Sequence, residues 1–293
     1  MSRIHEALKR AEQDRAAAQG VHVETAQIPA QPTLAGVASP IATVPSLPNQ
    51  LTFETLLSRC VPCTWSPDKK TMLFYNSEQG PGTEEFRTLR SRLYQMREKQ
   101  PLKKVLVTSS LPKEGKSFVA ANLAQAMVRQ HGRRVLLIDG DLRAARLHLA
   151  LGTALTPGLT EYLLGEVDEF GIMQRGAMEN LFFVPAGRST SNPAELVANG
   201  RLKVLLNRVE SLFDWIVIDS PPAVPVSDAG LISNHCDGVL MVVRSTATPS
   251  DVARKARAEF DDKLLLGVVL NGMKHDPAEY RRYYGAYGKD VSR

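Results

Sequence analysis

Lys104-Val-Leu-Val-Thr-Ser109, running into Ser110-Leu-Pro-Lys-Glu-Gly-Lys-Ser117, is the stretch on which the fold turns. A short apolar run gives way to a loop ending in Gly-Lys-Ser, and Phe118, Ala120, Ala121, Leu123 and Ala124 then fit a helix. Strand, Gly-Lys-Ser loop and helix in that order form the setting of a P-loop. Its chemistry follows from its geometry. Backbone N–H groups and the positive end of the helix face a phosphate chain. Gly115 has no Cβ to hold the backbone away from it. Lys113, Glu114, Gly115, Lys116, Ser117 and Phe118 then bind ATP. Lys116 reaches the β- and γ-phosphates, and the Ser117 hydroxyl ligates Mg²⁺. Ser110 stands where the motif usually has its first glycine, and a Gly-Lys-Ser by itself also opens ordinary helices.

Outward from the loop, apolar runs alternate with helical stretches. Strands are expected at Arg134–Asp139, Leu181–Pro185, Trp215–Asp219, Gly238–Val243 and Gly267–Asn271, and helices over 117–130, 193–210 and 249–261. Continuous apolar strands are buried on both faces, which is the mark of parallel pairing. The alternation implies an α/β fold: a doubly wound, mostly parallel sheet of P-loop NTPase type with helices on both faces. Two strands end in acid, Leu-Leu-Ile-Asp139-Gly-Asp141-Leu-Arg143 and Trp-Ile-Val-Ile-Asp219-Ser-Pro-Pro222. In an open parallel sheet the ligand lies beyond the carboxyl ends of the strands. Asp219 fits a Walker B aspartate on the metal, and Asp139 and Asp141 can both face it if the chain turns between them. One of them can serve as general base. A strand-end aspartate can also merely cap a turn.

The flanks read differently. Residues 1–19 place Ile4, Ala7, Leu8 and Ala11 at helical spacing among charges, so an amphipathic helix is expected. Residues 20–53 form a proline-rich linker, with no charge from Thr25 to Phe53. The P-loop domain follows over 54–273, and 274–293 is a tyrosine-rich tail. Net charge is +5, from 36 basic and 31 acidic residues, without a clustered basic face, so no nucleic-acid partner is expected. No apolar run reaches the roughly 18–20 residues of a membrane span, and Met1–Arg10 lacks a signal-peptide core. Three cysteines suit a reducing compartment. Cys60-Val-Pro-Cys63 has no second pair, which argues against zinc.

P-loop, hhhDxDxR and hhhhDxPP together resemble the bacterial tyrosine kinases of capsule and exopolysaccharide biosynthesis, within the MinD/ParA-like ATPases. The resemblance covers about residues 70–290. Glu84-Glu-Phe-Arg87-Thr-Leu-Arg90 is similar to the family's ExxRxxR helix. Gly158-Leu-Thr-Glu-Tyr-Leu-Leu-Gly165 and Asn192-Pro-Ala-Glu-Leu196 also look like family segments. The opening Met1-Ser-Arg-Ile-His-Glu-Ala-Leu-Lys resembles the exosortase-associated branch.

The resemblance implies an ATP- and Mg²⁺-dependent autokinase that acts on its own tyrosines. Lys116 and Ser117 would bind phosphate and metal, Asp139 would be the base supported by Asp141, and Asp139 and Asp219 would organise the metal. Asn271, ending the last strand, would meet the adenine, although a structural turn accounts for it equally. Glu84, Arg87 and Arg90 would contact a neighbour in a homo-oligomeric ring, but by spacing alone they also suit an ordinary intrahelical ion pair. The implied partners are a membrane-spanning polysaccharide chain-length regulator on a separate chain and a counteracting tyrosine phosphatase. The implied place is the cytoplasm, at the inner face of the membrane through that partner. The family's Pro-Gly-Glu-Gly-Lys reads Pro112-Lys113-Glu114-Gly115-Lys116 here, so Lys113 replaces a glycine beside the phosphates.

Tyr280, Tyr283, Tyr284 and Tyr287 lie among arginines and glycines with almost no aliphatic neighbours, which suits an exposed acceptor tail. Each phosphate would add about −1.5 to −2 charge and offset the basic residues. Two rival readings are a MinD/ParA-like ATPase switch without tyrosine kinase activity and a nucleotide-binding scaffold with poor turnover.

Overall fold

The computed structural model describes residues 52–76, 82–176, 178–262 and 264–273. In chain order the strands are β1 (Val61–Pro62), β2 (Lys104–Ser109), β3 (Val135–Asp139), β4 (Gln174–Arg175), β5 (Leu181–Val184), β6 (Trp215–Asp219), β7 (Gly238–Arg244) and β8 (Leu265–Asn271). The helices are α1 (Phe53–Arg59), α2 (Leu73–Asn76), α3 (Thr83–Arg97), α4 (Lys116–Val128), α5 (Leu147–Leu151), α6 (Leu159–Leu164), α7 (Glu169–Ile172), α8 (Pro193–Ala198), α9 (Arg201–Val209), α10 (Asp228–Ser233) and α11 (Ser250–Ala258).

The strands form one sheet in the order β1-β4-β5-β3-β6-β2-β7-β8. Every pairing is parallel except β4 with β5. β2, β3 and β6 are buried at every position. Their side chains divide by the two-residue period of a strand. Val105, Val107, Leu137 and Val217 pack on one face with Val119, Leu123 and Met127 of α4. Leu106, Leu136, Ile138, Ile216 and Ile218 pack on the other with Leu205 and Val209 of α9 and Ile232 of α10. That division is the doubly wound arrangement expected. In α4 every residue from Val119 to Val128 is buried. Its small Ala120, Ala121 and Ala124 let the helix lie close against the sheet.

The structure adds detail that periodicity did not carry. The helix expected over 193–210 is two helices, α8 and α9, parted at Gly200, whose φ of 84° is a left-handed turn that ends helical propagation. β8 starts at Leu265, two residues before the expected Gly267. β1 and β4 hold two residues each, too few to leave a pattern. α1 begins at Phe53, with Thr52 as its N-cap accepting from the Thr55 N–H. The Phe53 ring meets Phe182 edge-on at 5.7 Å and carries the Arg134 guanidinium 3.6 Å from its centroid. So the last residues of the charge-free stretch pack into the domain. The remainder of that stretch, the 1–19 helix and the 274–293 tail lie outside the described residues. Trp65 and Trp215 are core residues, as expected. Among the described residues no helix is long and apolar enough to cross a membrane.

Phe182 is fully buried between Phe53 and Phe213, with ring centroids 5.7 and 5.4 Å away. Phe182→Ala is expected to cost about 3–5 kcal/mol. Urea unfolding checks this: the midpoint should fall with an unchanged m-value.

Candidate active site

The sheet order explains why the site forms where it does. β2 delivers the P-loop, β6 beside it delivers Asp219, and β3 beside β6 delivers Asp139. Asp139 and Asp219 are paired in register at the ends of their strands. Beyond this edge lies a cavity of about 640 Å³, walled by Lys113 and Gly115 to Phe118 on the loop side and by Asp141, Arg143, Arg146, Pro221 and Pro222 opposite. Its volume lies within the range of small-molecule sites.

Lys116 reaches across this cavity, with Nζ 2.9 Å from Asp141 Oδ2 and 3.5 Å from the Ser117 hydroxyl. Burial disfavours its charge, but Asp219 and Asp141 more than offset that, and its pKa stands above the ordinary lysine value. Asp139 is fully buried and accepts from the backbone N–H groups of Asp141 and Leu147, both at 3.2 Å. Burial, reinforced by the neighbouring Asp219 charge, drives its pKa upward. Burial also raises Asp219, against the pull of Lys116. Both Asp219 oxygens are buried without a hydrogen bond of ordinary geometry, although the Ser117 hydroxyl and the Ser220 N–H lie close enough to help hold its pKa down.

Buried polar atoms are normally satisfied. An unsatisfied carboxylate next to a P-loop serine therefore fits a divalent cation. Mg²⁺ is commonly held by one or two carboxylates with substrate phosphate oxygens and water, not by an all-protein cage. Ser117 and Asp219 are the residues suited to it, with Asp139 adjacent in register.

The loop is held from its far side partly by two residues the sequence did not single out, Arg244 and Thr248. Glu114 is buried and accepts from the Leu111 N–H at 2.9 Å and from the Thr248 hydroxyl. Arg244, at the end of β7, donates to the Lys113 carbonyl at 3.1 Å. Asn271 donates to the Glu114 carbonyl at 2.8 Å. A Cβ on Gly115, where φ is 100°, would come within 2.0 Å of the Asn271 amide nitrogen. So Asn271 rests on the loop backbone. Lys113 has a φ of 68°, the left-handed region that favours glycine. That explains why a glycine is the usual residue there and why Lys113 sits under backbone strain.

On α3, Glu84 and Arg87 form the ion pair that their spacing allows. Arg90 donates to the Ala126 carbonyl of α4 at 2.7 Å and so ties the two helices together. Phe118 packs edge-on against Phe86 of α3 at 5.8 Å and fixes the start of α4. The four tail tyrosines lie outside the described residues.

A family model described as an AAA domain matches residues 113–248. Tyrosine-protein kinase YwqD of Bacillus subtilis (strain 168) is 35% identical over 205 residues, covering 69% of this chain and 86% of that protein. The chain belongs to the bacterial tyrosine-protein kinases. Other relatives in the family are much longer: the match to putative tyrosine-protein kinase EpsB of Ralstonia nicotianae (strain ATCC BAA-1114 / GMI1000), 34% identical, covers 71% of this chain and 28% of that one. Among solved structures, the chimerical protein CapA2B2 superposes with a TM-score of 0.67 at 28% identity, over 76% of this chain and 98% of that chain. This kinase is therefore a nucleotide-binding protein of P-loop α/β fold, and its P-loop walls the cavity.

Left-handed backbone costs a non-glycine residue roughly 1–2 kcal/mol. Lys113→Gly is expected to leave the folded kinase at least as stable as wild type. Lys113→Val, branched at Cβ, should destabilise it by about 1 kcal/mol or more. Chemical denaturation of the three proteins side by side gives the order.

Proposed function

We propose that this kinase transfers the γ-phosphoryl group of Mg·ATP to tyrosines of its own C-terminal tail, Tyr280, Tyr283, Tyr284 and Tyr287, between subunits of a homo-oligomeric ring. The observation that supports it most is the convergence of Lys116, Asp141 and the buried Asp219 at one sheet edge. In the reaction, the tyrosyl oxygen bonds to the γ-phosphorus as the bond from that phosphorus to the β–γ bridging oxygen breaks. ADP leaves, and the phenolic proton passes to a carboxylate. Asp139, whose raised pKa suits a proton acceptor, takes that role with Asp141 beside it. Lys113 to Phe118 cradle the phosphates, and Lys116 neutralises the charge gathering on them. A bound Mg²⁺ would supply further charge neutralisation at the phosphate oxygens.

Glu84, Arg87 and Arg90 take the ring interface, and Asn271 closes the adenine side of the site. The domain boundaries follow the same reading, moved to include the Thr52 cap and Phe53: a helix over 1–19, a linker over 20–51, the kinase over 52–273 and the acceptor tail over 274–293. The family's role in capsule and exopolysaccharide biosynthesis gives the biological setting. Here the kinase would regulate polymerisation and export from the inner face of the membrane. A separate membrane-spanning chain-length regulator would activate it, and a tyrosine phosphatase would reset it.

Intact-mass and phosphopeptide measurements after incubation with Mg·ATP, with and without the regulator's cytoplasmic segment, test this. Wild type should carry several phosphates on Tyr280 to Tyr287, and Lys116→Met should carry none. Replacing the four tyrosines by Phe should remove the acceptor and leave ATP binding intact, and Asp139→Asn should bind ATP and fail to transfer. ATP hydrolysis without phosphotyrosine would replace this reading with that of an ATPase switch.

A further inference from the structure

Arg143 and Asp228 stand 85 residues apart in sequence and meet at the cavity wall. Arg143 Nε donates to Asp228 Oδ2 at 2.7 Å, and Nη2 donates to Oδ1 at 2.9 Å. Both carboxylate oxygens are thus taken by one guanidinium in a parallel fork, the arrangement that fixes an arginine in orientation as well as position. The Asp228 side chain is 1% exposed, whereas that of Arg143 is 39% exposed and lines the cavity with Lys116, Ser117 and Asp141. Asp228 itself is not on the wall.

A guanidinium has five N–H donors. Two are spent on Asp228, so the others are left on the open side of the group. The sheet order says what they meet. β2 lies between β6 on one side and β7 on the other. Asn271 and Arg244 hold the loop from the β7 and β8 side. Asp219, Asp141 and Arg143 lie on the β6 and β3 side. The phosphate chain starts at the loop, so its terminal group and the acceptor belong on the β6 and β3 side.

We propose that Asp228 is a positioning residue for phosphoryl transfer. It locks Arg143 so that the free edge of the guanidinium faces the phosphoryl group as it passes from nucleotide to tyrosine, and Asp228 touches neither. The proposal rests on the tyrosine-transfer reading above. Charge on the moving group is spread over its equatorial oxygens, where a fixed cation acts most strongly in the transition state. A guanidinium free to swing would have to be ordered during each transfer. Loss of Asp228 should therefore slow the transfer step and leave nucleotide binding nearly unchanged.

The test uses the full-length chain with Mg·ATP and follows phosphotyrosine formation at a series of ATP concentrations. Asp228→Asn should lower the rate at saturating ATP by tenfold or more, with the KM for ATP within about threefold of wild type. Arg143→Gln should show the same split. Because Asp228 acts through Arg143, the double variant should be no slower than Arg143→Gln alone. Asp228→Asn leaves a neutral, same-sized group opposite a half-exposed arginine, so it should fold. Asp228→Glu provides a second route, and it should be faster than Asp228→Asn if a carboxylate is what holds the guanidinium. An unchanged rate in Asp228→Asn, a change confined to KM, or losses that multiply in the double variant would each overturn the positioning role. If the wild type forms no phosphotyrosine even with an activating segment, the tyrosine-transfer reading has failed, and this proposal falls with it. A wild type that phosphorylates beside an equally fast Asp228→Asn sinks the positioning role alone.

Discussion

Asp139 and Asp219 end adjacent parallel strands in register, both fully buried, and both act on the charge of Lys116. Two like charges in a low-dielectric interior repel, and each loses hydration. A fold selected for stability alone would place an apolar residue at one of those strand ends. Here β3 and β6 are otherwise unbroken apolar runs, and their packing on both faces of the sheet holds the acids where they are. The P-loop supplies the compensation through Lys116, and Asp139 gains two backbone donors. Asp219 gains the least, and that deficit marks the position where a cation is most useful.

The loop opposite those carboxylates has to keep its shape before a phosphate arrives, if its backbone donors are to meet that phosphate. Neighbouring strands do this work. Glu114 closes on Leu111 and Thr248, Asn271 holds the Glu114 carbonyl, and Arg244 holds the Lys113 carbonyl. Apart from Leu111, these partners lie at or just beyond the ends of β7 and β8, so the outer strands on that side support the loop without contributing to the acid cluster. They also account for Lys113. Its left-handed backbone is imposed by the loop and its anchors. The backbone bears that strain, and the exposed side chain adds no packing cost.

How much of this was readable in the sequence depends on distance along the chain. The strand–loop–helix unit from Lys104 to Val128 is local, and its apolar runs and glycine placed it within a residue or two. The strand-end aspartates were legible because a doubly wound sheet sends such ends to one edge. The split at Gly200 was hidden, because apolar spacing continues through both helices. The pairing of Arg143 with Asp228, and the grip of Arg244 and Thr248 on the loop, join residues more than 80 positions apart. No period reports such contacts. Asp228 did leave one faint sign: a single acid within Val224-Pro-Val-Ser-Asp-Ala-Gly-Leu-Ile232. A charge in such a run is either exposed or paired, and only the fold says which.

The two ion pairs of the cavity wall differ in a way that matters for a transferring enzyme. Lys116 meets Asp141 through one ammonium contact on a flexible stem, so a phosphate entering the loop can take over the lysine and leave Asp141 on the acid side of the site. Arg143 meets Asp228 through a planar fork, and releasing it would strand a carboxylate that is 1% exposed. Breaking a pair of that kind by removing one partner is costly, because the remaining charge keeps its desolvation penalty. One cation is therefore exchangeable and the other fixed. An exchangeable lysine follows the nucleotide in and out, while a fixed arginine keeps its orientation through every turnover. Such a wall binds at the loop and holds its geometry on the opposite side, where the acceptor has to approach.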